Sequence, residues 1–203
     1  MRVAMSVIGA ISVLAYPFLV YYALTHGSAR VAGSVLLLLL VPALFVRLRR
    51  ATKETRATVL ALPATVIAFV SAGAILNNHV FFFVLPTLIN LAMLVQFART
   101  LSAGPPMIER FARMSEPELS EDKILYCRRV TIVWCIFFAM NAAIAGTLAF
   151  VSSLSVWSFY TGIVNYVAMG ALFAVEYVVR KARFRSYGNT IHDRVFAAIF
   201  PPP

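Results

Sequence analysis

Long apolar runs, each with a basic residue close to at least one end, constrain this chain more than any other feature. A run of about 20 apolar residues at 1.5 Å per residue matches the roughly 30 Å hydrocarbon core of a bilayer. In that medium every backbone N–H and C=O must be satisfied internally, so such runs are read as helices. Six are legible: 3–24, 31–46, 57–78, 80–98, 130–151 and 154–179. The second is the shortest and has Arg30 at its edge, where a long basic side chain can snorkel to water. With 61% hydrophobic and 13% charged residues, the chain is far from the balance of a water-soluble domain. The expected fold is all-α: one polytopic transmembrane bundle, residues 1–203, of about six spans.

The basic residues give the orientation. With the N-terminus inside, Arg2, the 47–56 connection, the 99–129 loop and the 180–203 tail face the cytoplasm. They then hold all but one of the 18 Lys and Arg residues, leaving Arg30 outside. Such sorting is the positive-inside pattern of a bacterial-type inner membrane, multi-pass, with both termini cytoplasmic. The opening run is longer than the roughly 7 to 15 residues of a cleaved leader, so it is read as a span. A net charge of +10 could suggest nucleic acid, but these charges flank apolar runs instead of forming one basic face. The expected partners are membrane lipids, their anionic head groups on the cytoplasmic side, and other envelope proteins; no nucleic acid is expected.

The 99–129 loop is the only long connection. Pro105 and Pro106 suit a helix start, where the first turn needs no intrahelical N–H bond. Met107, Phe111 and Met114 then recur at helical spacing, with Arg110 and Arg113 placed for phospholipid head groups, so the segment is expected to be either a short interfacial helix or an amphipathic loop packing on its own bundle. Pro106, Ile108, Glu109, Arg110, Phe111 and Arg113 form a candidate interaction loop. Ser120, followed by Glu121 and Asp122, reads as a helix cap, so the fifth span should begin before Val130. In the tail, Ile191, Val195, Phe196, Ile199 and Phe200 share a helical face suited to lying on the membrane.

Within the spans, Pro17, Pro42, Pro63 and Pro86 each free a carbonyl that some neighbour must satisfy. Asn90, Asn141 and Asn165 fall near mid-depth and are candidates for a polar cluster across helices. Glu176 precedes Arg180 by four residues, the favourable order for a helical ion pair. Asn77, Asn78 and His79 make the best polar cluster at an outer helix end. Cys127 and Cys135, about 12 Å apart along a helix, are unsuited to a disulfide. No CxxC, HExxH, GxSxG, Walker or dinucleotide-binding pattern occurs, so no catalytic residue, cofactor or metal ligand is assigned.

Several local features occur in order. Gly73-Ala74-Ile75-Leu76-Asn77-Asn78-His79 ends the third span, and Pro106-Met107-Ile108-Glu109-Arg110-Phe111 follows the fourth. Trp134 with Phe137-Phe138 and Asn141, a Trp157-containing turn and a closing span ending at Arg180 complete the set. This stretch, about Gly73 to Arg183, resembles the bacterial intracellular septation protein A family of inner-membrane proteins. Through GPPMIERFARM and YCRRVT the chain is also similar to small membrane proteins encoded beside type II fatty-acid-synthase-like genes for aryl polyene pigments. The two resemblances imply an inner-membrane role in envelope maintenance or in handling a lipid-like product and transfer no catalytic residue, so the expected role is a non-enzymatic one, such as a scaffold for a lipid-like product pathway. A transporter or flippase for a hydrophobic molecule, and a membrane-embedded accessory to acyl transfer, are the alternatives. The first needs a polar cavity reaching Asn90, Asn141 or Asn165. The second needs groups converging on His79 or on Glu109 and Arg110.

Overall fold

The computed structural model describes residues 16–50 and 56–185, and no β-strand occurs among them. The helices are α1 (16–26), α2 (Ala29–Arg50), α3 (Arg56–Ile75), α4 (Val80–Ser102), α5 (Met107–Arg113), α6 (Glu121–Val151), α7 (Leu154–Phe159) and α8 (Asn165–Phe184). A π-helical turn, Tyr160–Val164, joins the last two. Three helical runs among the described residues are long and apolar enough to cross a membrane: Val80–Ser102, Glu121–Val151 and Leu154–Phe184. The apolar parts of α2 and α3, Ala29–Pro42 and Pro63–Ile75, are shorter. The first expected span is described only from residue 16, and the apolar face of the tail lies outside the described residues.

The chain divides into two compact units, Met1–Ile163 and Val164–Pro203. In the first, small residues allow helices to approach closely, as expected where lipid supplies no hydrophobic drive for association. A Cβ on Gly33 of α2 would lie 2.5 Å from the Cβ of Ala74 in α3, so only glycine fits there. On α6, Ala142, Ala145 and Ala149 are buried, and Gly146 lies against Thr87 of α4. Toward the other end of α4, Phe97 packs edge-on against Phe138 of α6, with ring centroids 5.1 Å apart.

Pro86 has no N–H to give the carbonyl of Phe82, four residues earlier. Tyr16 of α1 donates its hydroxyl to that oxygen at 2.7 Å. The next carbonyl, of Phe83, accepts the indole N–H of Trp157 at 3.1 Å. The proline thus exposes acceptors on α4, and two aromatic side chains from α1 and α7 are fixed there. Trp157 is fully buried and stacks on the Phe83 ring, centroids 4.7 Å apart.

The 103–120 connection is ordered by a different device. Gly104 takes φ +86°, a conformation that favours glycine, and turns the chain toward Pro106, the N-cap residue of α5. Proline offers no capping side chain, so hydroxyls from the two flanking helices supply the acceptors. Met107 N–H donates to Thr100 Oγ1 of α4 at 2.9 Å, and Ile108 N–H to Thr131 Oγ1 of α6 at 3.3 Å. Helix α6 begins at Glu121, nine residues before the expected span start at Val130 and at the boundary that Ser120 marks. The Ser120 side chain makes no cap bond; its carbonyl accepts from Ile124 N–H at 3.0 Å.

Helix α8, in the second unit, carries Glu176 and Arg180 as a two-pronged pair, with Nε–Oε1 at 2.8 Å and Nη2–Oε2 at 2.7 Å. It ends at Phe184, five residues beyond the expected limit of the last span, with Arg185 in a left-handed cap.

Candidate functional site

The third expected span stops as a helix at Ile75, three residues short of Asn78, because the chain turns there. Asn78 N–H donates to Gly73 C=O at 3.0 Å and Asn77 N–H to Ala74 C=O at 3.4 Å, the paired bonds of a Schellman cap. That motif places Asn77 at φ +50°, a left-handed position that asparagine tolerates better than most residues. Asn78 Oδ1 then accepts from Val80 N–H at 3.0 Å and starts α4. Asn77 Oδ1 reaches to another helix, accepting from Arg30 N–H of α2 at 3.3 Å.

This turn borders an open pocket of about 520 Å³. Its polar lining is Asn77, His79, Ser28 and Ser152, and its apolar lining includes Leu24, Phe83 and Leu154. The contributing segments are the α1–α2 connection, the α3–α4 turn, the first turn of α4 and the α6–α7 turn. Phe83 lies between Trp157 and the His79 ring, 5.2 Å from the latter centroid to centroid. The Ser152 hydroxyl donates to Leu148 C=O of its own helix at 2.7 Å.

At the opposite end of α4, the residues of the candidate interaction loop divide between two faces. Pro106 and Glu109 are buried and Ile108 is half-buried, whereas Arg110, Phe111 and Arg113 are exposed, as is Met114. Glu109 is held by Arg113, with Nε–Oε1 at 2.8 Å and Nη2–Oε1 at 2.7 Å. Arg113 also donates to Pro117 C=O at 3.0 Å, and Arg110 Nε to Pro105 C=O at 2.9 Å. Arg113, expected to face head groups, is therefore drawn into an ion pair and a turn contact. Phe111 and Met114 leave an apolar edge exposed, while Met107 of the same stripe is half-buried.

The three asparagines do not act alike. Asn90 donates to Pro86 C=O of its own helix at 2.8 Å. Asn141 donates to Phe137 C=O at 3.1 Å and accepts the Tyr160 hydroxyl at 2.7 Å. Asn165 Oδ1 has no hydrogen-bond partner among the described residues. For Asn90 and Asn141, the bond joining separate helical elements is the one from Tyr160. Neither Cys127 nor Cys135 is in a disulfide, and no group of three or more potential metal ligands occurs among the described residues.

Sequence reasoning singled out Asn77 and His79 but not their pocket neighbours Ser28 and Ser152. Each of those serines stands in a short turn remote in sequence, where small polar residues are ordinary. No family model matches the chain, and neither the curated proteins nor the solved structures yield a significant match.

Proposed function

We propose that this is a six-span protein of a bacterial-type inner membrane, with both termini cytoplasmic, that supports envelope or membrane-lipid processes without catalysing a reaction. On this reading it serves as a scaffold that engages a lipid-like product, which the similarity to the membrane proteins encoded beside aryl polyene genes supports. The observation that carries the proposal is the pocket between helix ends, where a polar rim of Asn77, His79 and Ser28 adjoins an apolar wall of Leu24, Phe83 and Leu154. A polar rim beside an apolar wall suits an amphiphile at a membrane surface. A transport route would have to continue past Asn90 or Asn141, and neither lines this pocket. An acyl-transfer role would need a group to orient His79 as a base, and no carboxylate lines the pocket with it.

The topology is tested with single-cysteine variants in a background lacking Cys127 and Cys135. Asn78→Cys should react with a membrane-impermeant maleimide in intact cells. Met114→Cys, at a position 82% exposed, should react only after permeabilisation. Reaction of the second site in intact cells would reverse the orientation.

The functional reading is tested by comparing lipid and polyene content, leaflet by leaflet, in a deletion strain and the same strain complemented. A redistribution of a lipid-like product, restored by the wild-type chain but not by an Asn77→Ala/His79→Ala variant, is expected. Unchanged lipid and pigment in both leaflets would defeat it.

A further inference from the structure

We infer that the pocket bordered by Asn77 and His79 is a binding site for an anionic head group, a phosphate or carboxylate, carried on an apolar chain. The inference deepens the amphiphile reading above and rests on it. Three polar groups around the pocket have an N–H or O–H free to donate. Asn77 Oδ1 is already occupied by Arg30 N–H, which leaves its Nδ2 to donate. The Ser28 hydroxyl and the His79 ring have no hydrogen-bond partner among the described residues, and both line the cavity. Arg30 follows the lining residue Ala29 and is exposed, with no ion pair to its guanidinium among the described residues.

Acceptors with charge are missing from the same region. No Asp or Glu occurs in the segments 24–30, 76–83 or 151–155 that surround the pocket. A cation would meet no carboxylate there, whereas an anion would meet amide, hydroxyl and imidazole donors, with the basic residue Arg30 next in the chain to the lining residue Ala29.

The apolar wall decides between a free ion and an amphiphile. A phosphate or carboxylate group alone would leave Leu24, Phe83 and Leu154 uncovered in a pocket of about 520 Å³. An attached apolar chain would cover them and continue into the bilayer.

The full-length protein, with Trp134→Phe leaving Trp157 as the single tryptophan, is placed in phosphatidylcholine nanodiscs. These expose both faces, so the assay does not depend on orientation in the cell. Brominated phosphatidylglycerol and brominated phosphatidylcholine are then titrated, with Trp157 fluorescence as the reporter stacked behind Phe83. The phosphatidylglycerol should quench at about tenfold lower mole fraction. Arg30→Ala/His79→Ala, at two exposed positions, should erase that preference while leaving the thermal transition in place.

Equal quenching by the two lipids, or a preference unaltered in the variant, would overturn the site. Displacement of the brominated lipid by inorganic phosphate at equal concentration would uphold the anion chemistry and overturn the chain-bearing ligand. A site confirmed here alongside unchanged lipids in the deletion strain would separate failure of the scaffold role from failure of the site.

Discussion

Replacing Trp157 with alanine is expected to cost about 3 kcal/mol, the low end for removing a large buried aromatic side chain. Trp157 is wholly buried, so its loss opens a cavity against Phe83 and withdraws the donor from the Phe83 carbonyl. That carbonyl lies in a stretch of α4 already short of one N–H, since Pro86 cannot donate to Phe82. In a chain of this size the loss corresponds to a fall of about 6–12 °C in the thermal transition in detergent. Trp157→Phe is the milder change. It keeps a ring against Phe83 and gives up the N–H together with a few buried ring atoms, so it should cost less than alanine, about 1–2 kcal/mol. A Trp157→Ala variant that melts with the wild type would show that the α4–α7 contact does not hold the bundle.

The same region shows how far the sequence could be read. Pro86 announces a freed carbonyl, because the missing N–H is a property of the residue. Nothing near Tyr16 or Trp157 announces which hydroxyl or indole will reach it, since those contacts span 66 and 74 residues. The helices themselves were legible where runs were long and uncharged, as for α4 and α6. Their limits shifted where caps outweighed apolarity: Asn77 enters a left-handed turn and ends α3 early, while Glu121 and Asp122 extend α6 outward. The candidate site was half legible. Asn77 and His79 stand out as polar residues between two apolar runs, but Ser28 and Ser152 join them only through tertiary packing.

The α5 connection exposes the same divide and gives an unequal pair of substitutions. The stripe of Met107, Phe111 and Met114 is visible as a helical period, and of the three Phe111 and Met114 are exposed while Met107 is half-buried. Periodicity also makes Glu109 an ordinary polar position, whereas its side chain is only 6% exposed against 40% for Arg113. That inequality sets the sign of the next expectation.

Arg113→Ala should be the more damaging substitution, at about 3 kcal/mol, because it strands a buried carboxylate without its counter-charge. Glu109→Ala should cost about 1 kcal/mol or less, because the freed guanidinium is already partly exposed and can turn outward. Arg113→Ala also removes the bond to the Pro117 carbonyl, so the single variants alone do not isolate the charge. The double variant does, since it lacks the Pro117 bond and has no carboxylate to strand. It should therefore be more stable than Arg113→Ala, a coupling of opposite sign to additive loss. Thermal transitions in detergent, with amide exchange over Met107–Arg113 to report detachment of α5, provide the measurement. If the double variant is instead less stable than Arg113→Ala, the buried charge is not what binds α5 to its neighbours. The two threonine hydroxyls that accept from Met107 and Ile108 would then carry the attachment.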